Sequence, residues 1–208
     1  GYVIERINKR FLAQALGKLP EGVILVSGTN GKTTTTKLIA DSLQSAGYRV
    51  LTNRTGSNFV RGVISLVVSE TSMLGQLNKD IAVIEQDEAY AVHFVKQFRP
   101  RGVVVLNVMR DQMDRFGEID NTAQLLNKVT EQASSFVVLN QDDSRVSRLL
   151  TKDNVKRLTF AVSKEVSHLY TSEDDWHGKS GKSSKNTLNS NVVLKSINKN
   201  QIIYGYKG

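Results

Sequence analysis

Short apolar runs alternate along the chain with longer stretches in which apolar residues recur at helical spacing. The apolar runs predict strands at residues 23–27, 49–53, 81–85, 103–107, 136–140 and, more weakly, 155–160. The intervening stretches predict helices at about residues 32–46, 60–76, 88–98 and 119–133. Because the strands are apolar throughout and are separated by helices, the pattern predicts an α/β fold, with a mostly parallel sheet covered by helices on both faces.

The two ends of the chain differ from this alternation. Residues 1–20 predict a short amphipathic helix that ends at Pro20, with apolar positions at Ile4, Ile7, Phe11, Leu12 and Leu16. After residue 163 the chain becomes rich in Ser, Lys and Asn, so we expect one domain over residues 1–163 and a small irregular or ribbon-like insertion over residues 164–208. Residues 192–197 and 201–206 predict a β-hairpin within that insertion.

Composition excludes several classes of site and of protein. The 208 residues include no cysteine, which rules out disulfides, thiol catalysis and cysteine-bound zinc within this chain. No apolar run is long enough to span a membrane and no signal-peptide pattern begins the chain, so we predict a cytoplasmic protein. Five of the eight net positive charges follow residue 150. We interpret this basic tail as solvated rather than as a nucleic-acid site, because the sequence contains no recognised nucleic-acid-binding motif.

A glycine-bracketed turn, GTNGKT at residues 28–33, follows the first strand and begins the next helix. Its spacing is shorter than that of the usual phosphate loop, since the position five residues before Gly31 is Val26. The physical requirements for holding phosphate are still met, because glycines let backbone amides approach and the helix N-terminus adds positive potential. Lys32 can reach the β- and γ-phosphates, and the Thr33 hydroxyl can bind Mg²⁺. The residues predicted to bind the nucleotide are Gly28, Thr29, Asn30, Gly31, Lys32, Thr33 and Thr34.

Several predicted strands end in polar residues, among them Ser27, Asn53, Glu85 and Asn107. Ligands of parallel sheets collect at the carboxyl ends of the strands, so we expect these side chains at one site. A carboxylate beside a triphosphate requires a cation between them, which makes Glu85 a candidate Mg²⁺ ligand together with Thr33. Asp87 and Glu88 follow immediately, and they either assist at the site or stabilise a helix N-terminus.

The shortened GTNGKT loop resembles that of the Mur ligase family, ATP-dependent enzymes that activate a carboxylate as an acyl phosphate for attack by an amine. The resemblance implies a P-loop-type fold, ATP and Mg²⁺ as cofactors, and catalytic roles for Lys32, Glu85 and Gln112. Gln112 stands in residues 107–118 where most muramyl ligases have a histidine that helps to bind a second metal. The lysine that many relatives carbamylate would fall near Asn127, and Lys128 is the next residue.

Three motifs together resemble the MurT branch of that family over roughly residues 20–145: NRTGSN at 53–58, EQDE at 85–88, and residues 107–118. That branch is the ligase subunit of an enzyme that amidates the stem-peptide glutamate of lipid II to isoglutamine, with ammonia from a GatD-type glutamine amidotransferase. The resemblance implies lipid II as a membrane-borne substrate reached from the inner face of the membrane, and no nucleic-acid partner. It places Asn58 near the phosphates and Asn140 at the adenine. Arg54 and Arg61 either meet an anionic substrate or are solvated.

Two departures from the MurT pattern concern the later part of the chain. The four-cysteine zinc ribbon of many MurT proteins has no cysteines here, and we interpret His168 and His177, near Trp176, as solvent-exposed rather than metal-binding. The family's C-terminal domain lies outside these residues, so we expect a longer protein. The alternative function is an amino-acid-adding ligase of the muramyl-peptide or folyl-polyglutamate kind, against which Gln112 and the RDQMDR sequence weigh.

Overall fold

Eight strands form one sheet in the computed structural model, which describes residues 8, 10–53, 60–72, 76–109, 118–167, 190–198 and 201–207. The strands are β1 (Val23–Ser27), β2 (Val50–Thr52), β3 (Ile81–Glu85), β4 (Gly102–Val105), β5 (Phe136–Asn140), β6 (Lys156–Val162), β7 (Val192–Asn198) and β8 (Gln201–Tyr206). The helices are α1 (Phe11–Leu16), α2 (Lys32–Ser45), α3 (Val60–Glu70), α4 (Glu88–Gln97) and α5 (Glu118–Thr130), with a short 3₁₀ turn at Val146–Arg148.

The strand order is β2-β3-β1-β4-β5-β6-β7-β8, and every neighbouring pair is parallel except β7 with β8. The central strand β1 lies between β3 and β4, with Val26 beside Glu85 and Ser27 beside Val105. Because these strands run in the same direction, their carboxyl ends lie along one edge of the sheet. That edge carries the phosphate loop, which follows β1 directly.

The core is divided by the sheet into two layers. On one face, α1, α3, α4 and α5 pack over alternate strand residues such as Leu25, Ile84 and Leu139. On the other face, α2 packs through Ala40 over Val26, Val83 and their neighbours. The predicted α/β fold with helices on both faces is therefore confirmed.

Several predicted boundaries differ from the structure. The predicted helix at 60–76 ends at Glu70, because the Thr71 hydroxyl donates to the carbonyl of Val67 and Thr71 then bridges to Leu77. Of the helix predicted over residues 1–20, the described part is Phe11–Leu16, which ends at Gly17 rather than at Pro20. Strand β4 ends at Val105, two residues early, because the chain there turns towards the phosphate loop.

The predicted β-hairpin forms, and it extends the main sheet. Strand β7 is hydrogen-bonded in parallel to β6, with Phe160 beside Val192, and β8 returns antiparallel to it. Several apolar side chains of this hairpin remain exposed, namely Val192, Ile197, Ile202, Ile203, Tyr204 and Tyr206. The domain boundary expected at residue 163 stays a prediction.

Candidate active site

The phosphate loop has the backbone shape that its glycines allow. Gly28 has φ 129° and Gly31 has φ 84°, both in the region that favours glycine. A Cβ atom at Gly28 would lie 3.0 Å from the backbone nitrogen and oxygen of Asn107, whereas one at Gly31 would meet only a Leu106 methyl group at 3.6 Å. Gly28 is therefore required by close backbone approach as well as by conformation, and Gly31 by conformation alone.

The loop is fastened to the segment that follows β4. The amide of Thr29 donates to the backbone oxygen of Asn107 at 3.0 Å. The Asn107 side chain then pairs with the backbone of Asn30 in both directions, accepting from its nitrogen at 2.8 Å and donating to its oxygen at 3.0 Å. The Thr29 hydroxyl accepts from the amide of Met109 at 3.0 Å. These bonds occupy the amides of Thr29 and Asn30.

The backbone amides that can donate to a phosphate are therefore those at the start of α2. The first amides of a helix have no acceptor within it, and α2 begins at Lys32, directly after Gly31. Thr33 and Thr34 are exposed at this end. A helix N-terminus with free amides attracts anions, so this rim suits phosphate oxygens.

Lys32 is folded back over the loop. Its ammonium donates to the carbonyls of Gly28 at 2.7 Å and Thr29 at 3.0 Å, and it pairs with the carboxylate of Asp87 at 3.0 Å. The Lys32 side chain is only 12% exposed, whereas that of Asp87 is 39% exposed. Asp87 occupies the N-cap position of α4 but bonds to none of the described helix amides through its side chain. Its observed partner is the phosphate-loop lysine.

Thr33 and Glu85 meet at the mouth of the loop. The Thr33 hydroxyl donates to Oε1 of Glu85 at 3.2 Å. Glu85 is fully buried, and its backbone is held on both sides by the side chain of Asn53, with both distances 2.9 Å. The predicted pair of Mg²⁺ ligands is thus brought together, and Asn53 fixes the position of the carboxylate. A polar strand end at residue 53 was the only sequence signal for this positioning role.

Gln86, next to the metal-ligand candidate, is also fully buried. Its backbone accepts from the Ser27 hydroxyl at 2.9 Å, which links the ends of β1 and β3. Neither polar atom of its side chain has a hydrogen-bond partner among the described residues. An unpaired buried amide costs free energy, so this part of the edge is not optimised for folding alone.

The residues that follow β5 bind to the backbone of neighbouring strands. Asn140 donates through its side-chain amide to the oxygen of Leu106 at 2.9 Å and accepts from the amide of Asp142 at 3.0 Å. Asp143 accepts from the amide of Val108 at 2.7 Å. The expected contact of Asn140 with adenine stays a prediction, and the bonds to Leu106 and Val108 show that this motif also holds the segment after β4.

Other candidates are remote from the loop or lie outside the described residues. Asn127 donates to Glu131 at 3.1 Å and accepts from the amide of Leu150 at 2.7 Å, so its side chain joins α5 to the chain near the 3₁₀ turn. The candidates outside the described residues are Arg54, Asn58, Gln112, His168, Trp176 and His177. Among the described residues, no group of three or more His, Cys, Asp or Glu side chains could hold a metal ion. The helices within the described ranges include none with both the length and the hydropathy of a membrane span.

Residues 26–202 match the family model described as the Mur ligase middle domain. The chain belongs to the Mur ligase family. It is 34% identical over 149 residues to the lipid II isoglutaminyl synthase (glutamine-hydrolyzing) subunit MurT of Staphylococcus aureus strain COL, and 38% identical over 170 residues to the subunit of that name from Streptococcus pneumoniae strain R6. These alignments cover 72% and 81% of this chain. They cover 33% and 37% of the relatives, so the chain spans about a third of the length of the curated relatives it matches.

A solved Mur ligase supports the same fold. The chain resembles the MurF ligase of Thermotoga maritima, solved in complex with ADP, with a TM-score of 0.65 and 20% identity. The match covers 94% of this chain and 40% of that ligase. In this chain, the shortened phosphate loop and the buried Glu85 lie at the same edge of the sheet.

Proposed function

We propose that the chain forms the ATP-binding middle domain of a Mur-type ligase that amidates the glutamate carboxyl of the lipid II stem peptide to isoglutamine. The observation that carries the proposal is the 3.2 Å contact between the Thr33 hydroxyl and the buried Glu85 carboxylate at the end of the phosphate loop. The assignment to the MurT branch of the family is supported by the 34–38% identity of the chain to two MurT subunits.

The proposed reaction has two steps. A carboxylate oxygen of the glutamate attacks the γ-phosphorus of ATP, the bond to the bridging oxygen breaks, and ADP leaves. Ammonia then attacks the acyl carbon, phosphate leaves as the carbon–oxygen bond breaks, and phosphate or solvent takes the proton that nitrogen loses. Charge on the transferred phosphoryl group requires nearby cations and amides, which is where this chain contributes.

Lys32 would bind the β- and γ-phosphates. To do so, its ammonium would leave the carbonyls of Gly28 and Thr29 and the carboxylate of Asp87. Its long side chain is already held at the loop, so the movement needed is a change of partners rather than a rearrangement of the backbone. The first amides of α2 would bind phosphate oxygens beside it. Gln112 is proposed to act at the carboxylate that receives the phosphoryl group.

Thr33 and Glu85 fit a Mg²⁺ ion because both offer oxygen atoms and those atoms already meet. Mg²⁺ in nucleotide sites takes one or two protein ligands and completes its shell with phosphate oxygens and water, so two ligands suffice. When bound, the ion would neutralise charge between the nucleotide and the buried carboxylate. Asn53 would keep that carboxylate in place through its two bonds to the Glu85 backbone.

A GatD-type glutamine amidotransferase is the proposed source of ammonia, and the proposed site of action is the cytoplasmic face of the membrane that carries lipid II. The test combines the full-length protein, that partner, glutamine, Mg·ATP and lipid II, and follows the stem peptide by mass spectrometry. We expect the glutamate carboxyl to become an amide with release of ADP. If the full-length protein binds ADP but the glutamate carboxyl remains unchanged, the proposed substrate is wrong.

The alternative is a ligase that adds an amino acid, supported by the middle-domain match, which the whole family shares. Ammonia and a panel of amino acids, supplied separately to the full-length protein with the same acceptor, distinguish the two. Product formation with an amino acid and none with ammonia would favour the alternative.

A further inference from the structure

Asp143 lies beyond β5 and bonds to two parts of the chain at once. One carboxylate oxygen accepts from the amides of Arg145 and Val146 at 2.9 and 3.0 Å, at the start of the 3₁₀ turn. The other accepts from the amide of Val108 at 2.7 Å, 35 residues earlier in the chain. A carboxylate has enough lone pairs for all three bonds, whereas a neutral side chain of the same size has a single acceptor atom.

Val108 is the middle of the segment that clamps the phosphate loop. It is 1% exposed, so its amide has no access to water if Asp143 is lost. Its neighbours on either side are Asn107, which pairs with the backbone of Asn30, and Met109, whose amide donates to the Thr29 hydroxyl. A shift of Val108 therefore moves both groups that hold the loop.

The loop has little freedom to absorb such a shift. The Cβ position of Gly28 lies 3.0 Å from the backbone of Asn107, so the two backbones are already in close approach. Asn140 supports the same segment through Leu106, at 2.9 Å, but it bonds two residues before Val108. Asp143 is thus the side chain that fixes the segment where it passes from Asn107 to Met109.

We infer that Asp143 is a positioning residue for the phosphate loop. It acts through the amide of Val108 and the clamp of Asn107 and Met109, and it sets where the first amides of α2 meet the β-phosphate. The inference rests on the proposed function only in that the loop binds a nucleotide. It predicts that Asp143 affects phosphate affinity and leaves contacts with the base and ribose unchanged.

The chain supplies a matched control in the neighbouring residue. Asp142 also accepts a backbone amide at 2.7 Å, but from Val162 at the end of β6, on the side away from the phosphate loop. Asp142→Asn and Asp143→Asn therefore change the same kind of bond in the same motif. Of the bonds to Val162 and Val108, only the second lies in the segment that holds the phosphate loop.

The test measures binding of Mg·ADP and of AMP to the full-length protein by calorimetry, well below its unfolding temperature. We expect Asp143→Asn to weaken Mg·ADP on the order of tenfold, the effect of one charge-assisted hydrogen bond. AMP lacks a β-phosphate and should bind it as it binds the wild type. Asp142→Asn should leave both affinities within about twofold, a difference too small for loss of such a bond.

Amide hydrogen exchange gives a second readout on the same proteins. The amide of Val108 should exchange faster in Asp143→Asn than in the wild type or in Asp142→Asn. If Asp143→Asn does not fold, Asp143→Ser takes its place, because a serine hydroxyl still caps the turn at Arg145 but is too short to hold Val108 as well.

Each outcome decides between defined alternatives. Equal weakening of ADP and AMP, or unchanged ADP affinity in a folded variant, would overturn the positioning role of Asp143. Failure of the wild-type protein itself to bind Mg·ADP would overturn the proposed function, and this inference with it. A selective loss for ADP supports both.

Discussion

The hydroxyl of Thr33 donates to the carboxylate of Glu85 across 52 residues of sequence, at a distance of 3.2 Å. Thr33 lies in the first turn of the helix after the phosphate loop, and Glu85 ends a neighbouring strand. The contact explains how a single edge of a parallel sheet brings together the proposed metal-binding pair from two motifs that are separate in sequence.

Glu85→Gln should abolish the dependence of nucleotide binding on Mg²⁺. The amide keeps the size of the side chain and its bond to Thr33 but removes the charge that binds the metal. We expect the turnover of the full-length ligase to fall about 100-fold, the order of loss for one electrostatic group at a reaction centre. Calorimetry of ADP with Mg²⁺ and with a chelator checks the metal dependence.

Glu70→Gln is the control for that change, because Glu70 is an exposed carboxylate at the end of α3 that pairs with Lys79 at 2.9 Å. It should retain both turnover and the response to Mg²⁺. If Glu85→Gln bound ADP with the same gain from Mg²⁺ as the wild type, Glu85 would not be a metal ligand.

Alanine at Gly28 and alanine at Gly31 should have unequal effects. Both require a positive φ, which costs about 1 kcal/mol or somewhat more for a residue with a Cβ. Gly28→Ala also places a methyl group against the backbone of Asn107, so it should be destabilised further and should lose ADP binding. Urea unfolding and ADP titration of both variants measure the difference. Equal effects would mean that close approach to Asn107 is unimportant.

Asp87→Asn should strengthen the binding of ADP and ATP severalfold. The carboxylate holds the Lys32 ammonium at 3.0 Å in the structure and would repel an incoming phosphate, so its neutralisation removes a competitor and a repulsion. The exposed residue Asp153, mutated to Asn, provides the control, because it lies in the turn before β6. Weaker nucleotide binding by Asp87→Asn would instead mean that the Asp87 carboxylate helps to hold the bound nucleotide.

Asp80, just before β3, should make the free energy of unfolding depend on pH. Hydrogen bonds from the side chain and backbone of Arg49 hold the pKa of Asp80 at about 2, below its ordinary value of 3.8. A lowered pKa stabilises the fold above the ordinary value, and this contribution is lost as the pH falls from about 4 through about 2. The difference in unfolding free energy between wild type and Asp80→Asn should therefore shrink between pH 5 and pH 3 as measured in urea. A constant difference would contradict the assignment.

Much of the fold was predictable because β1, β3 and β5 are continuous apolar runs ended by a polar residue. The pairing of Thr33 with Glu85 followed from that pattern, since Glu85 ends β3 and Thr33 lies at the start of the helix that follows β1 and its loop, at the same edge of the sheet. The roles of Asn53, Asn107 and Asp143 did not, because each depends on which backbone amide a side chain reaches across strands. Hydrophobic periodicity carries no information about such long-range hydrogen bonds.

The errors in prediction also have physical causes. The apolar run predicts a strand that continues up to Asn107. In the structure, the Asn107 side chain instead bonds to both the backbone nitrogen and the backbone oxygen of Asn30. The end of α3 was placed too late because helical spacing continues past Glu70, whereas the Thr71 hydroxyl competes for a helix carbonyl.

The buried side chain of Gln86 has a practical consequence for handling this protein. Replacement by methionine keeps the volume and removes two polar atoms that have no partner among the described residues. Such a change should raise the thermal midpoint, and it offers a sturdier protein for crystallisation with nucleotides. If Gln86→Met gains stability but loses ligase activity, the buried amide at this edge of the sheet serves the substrate and lowers the stability of the wild-type protein.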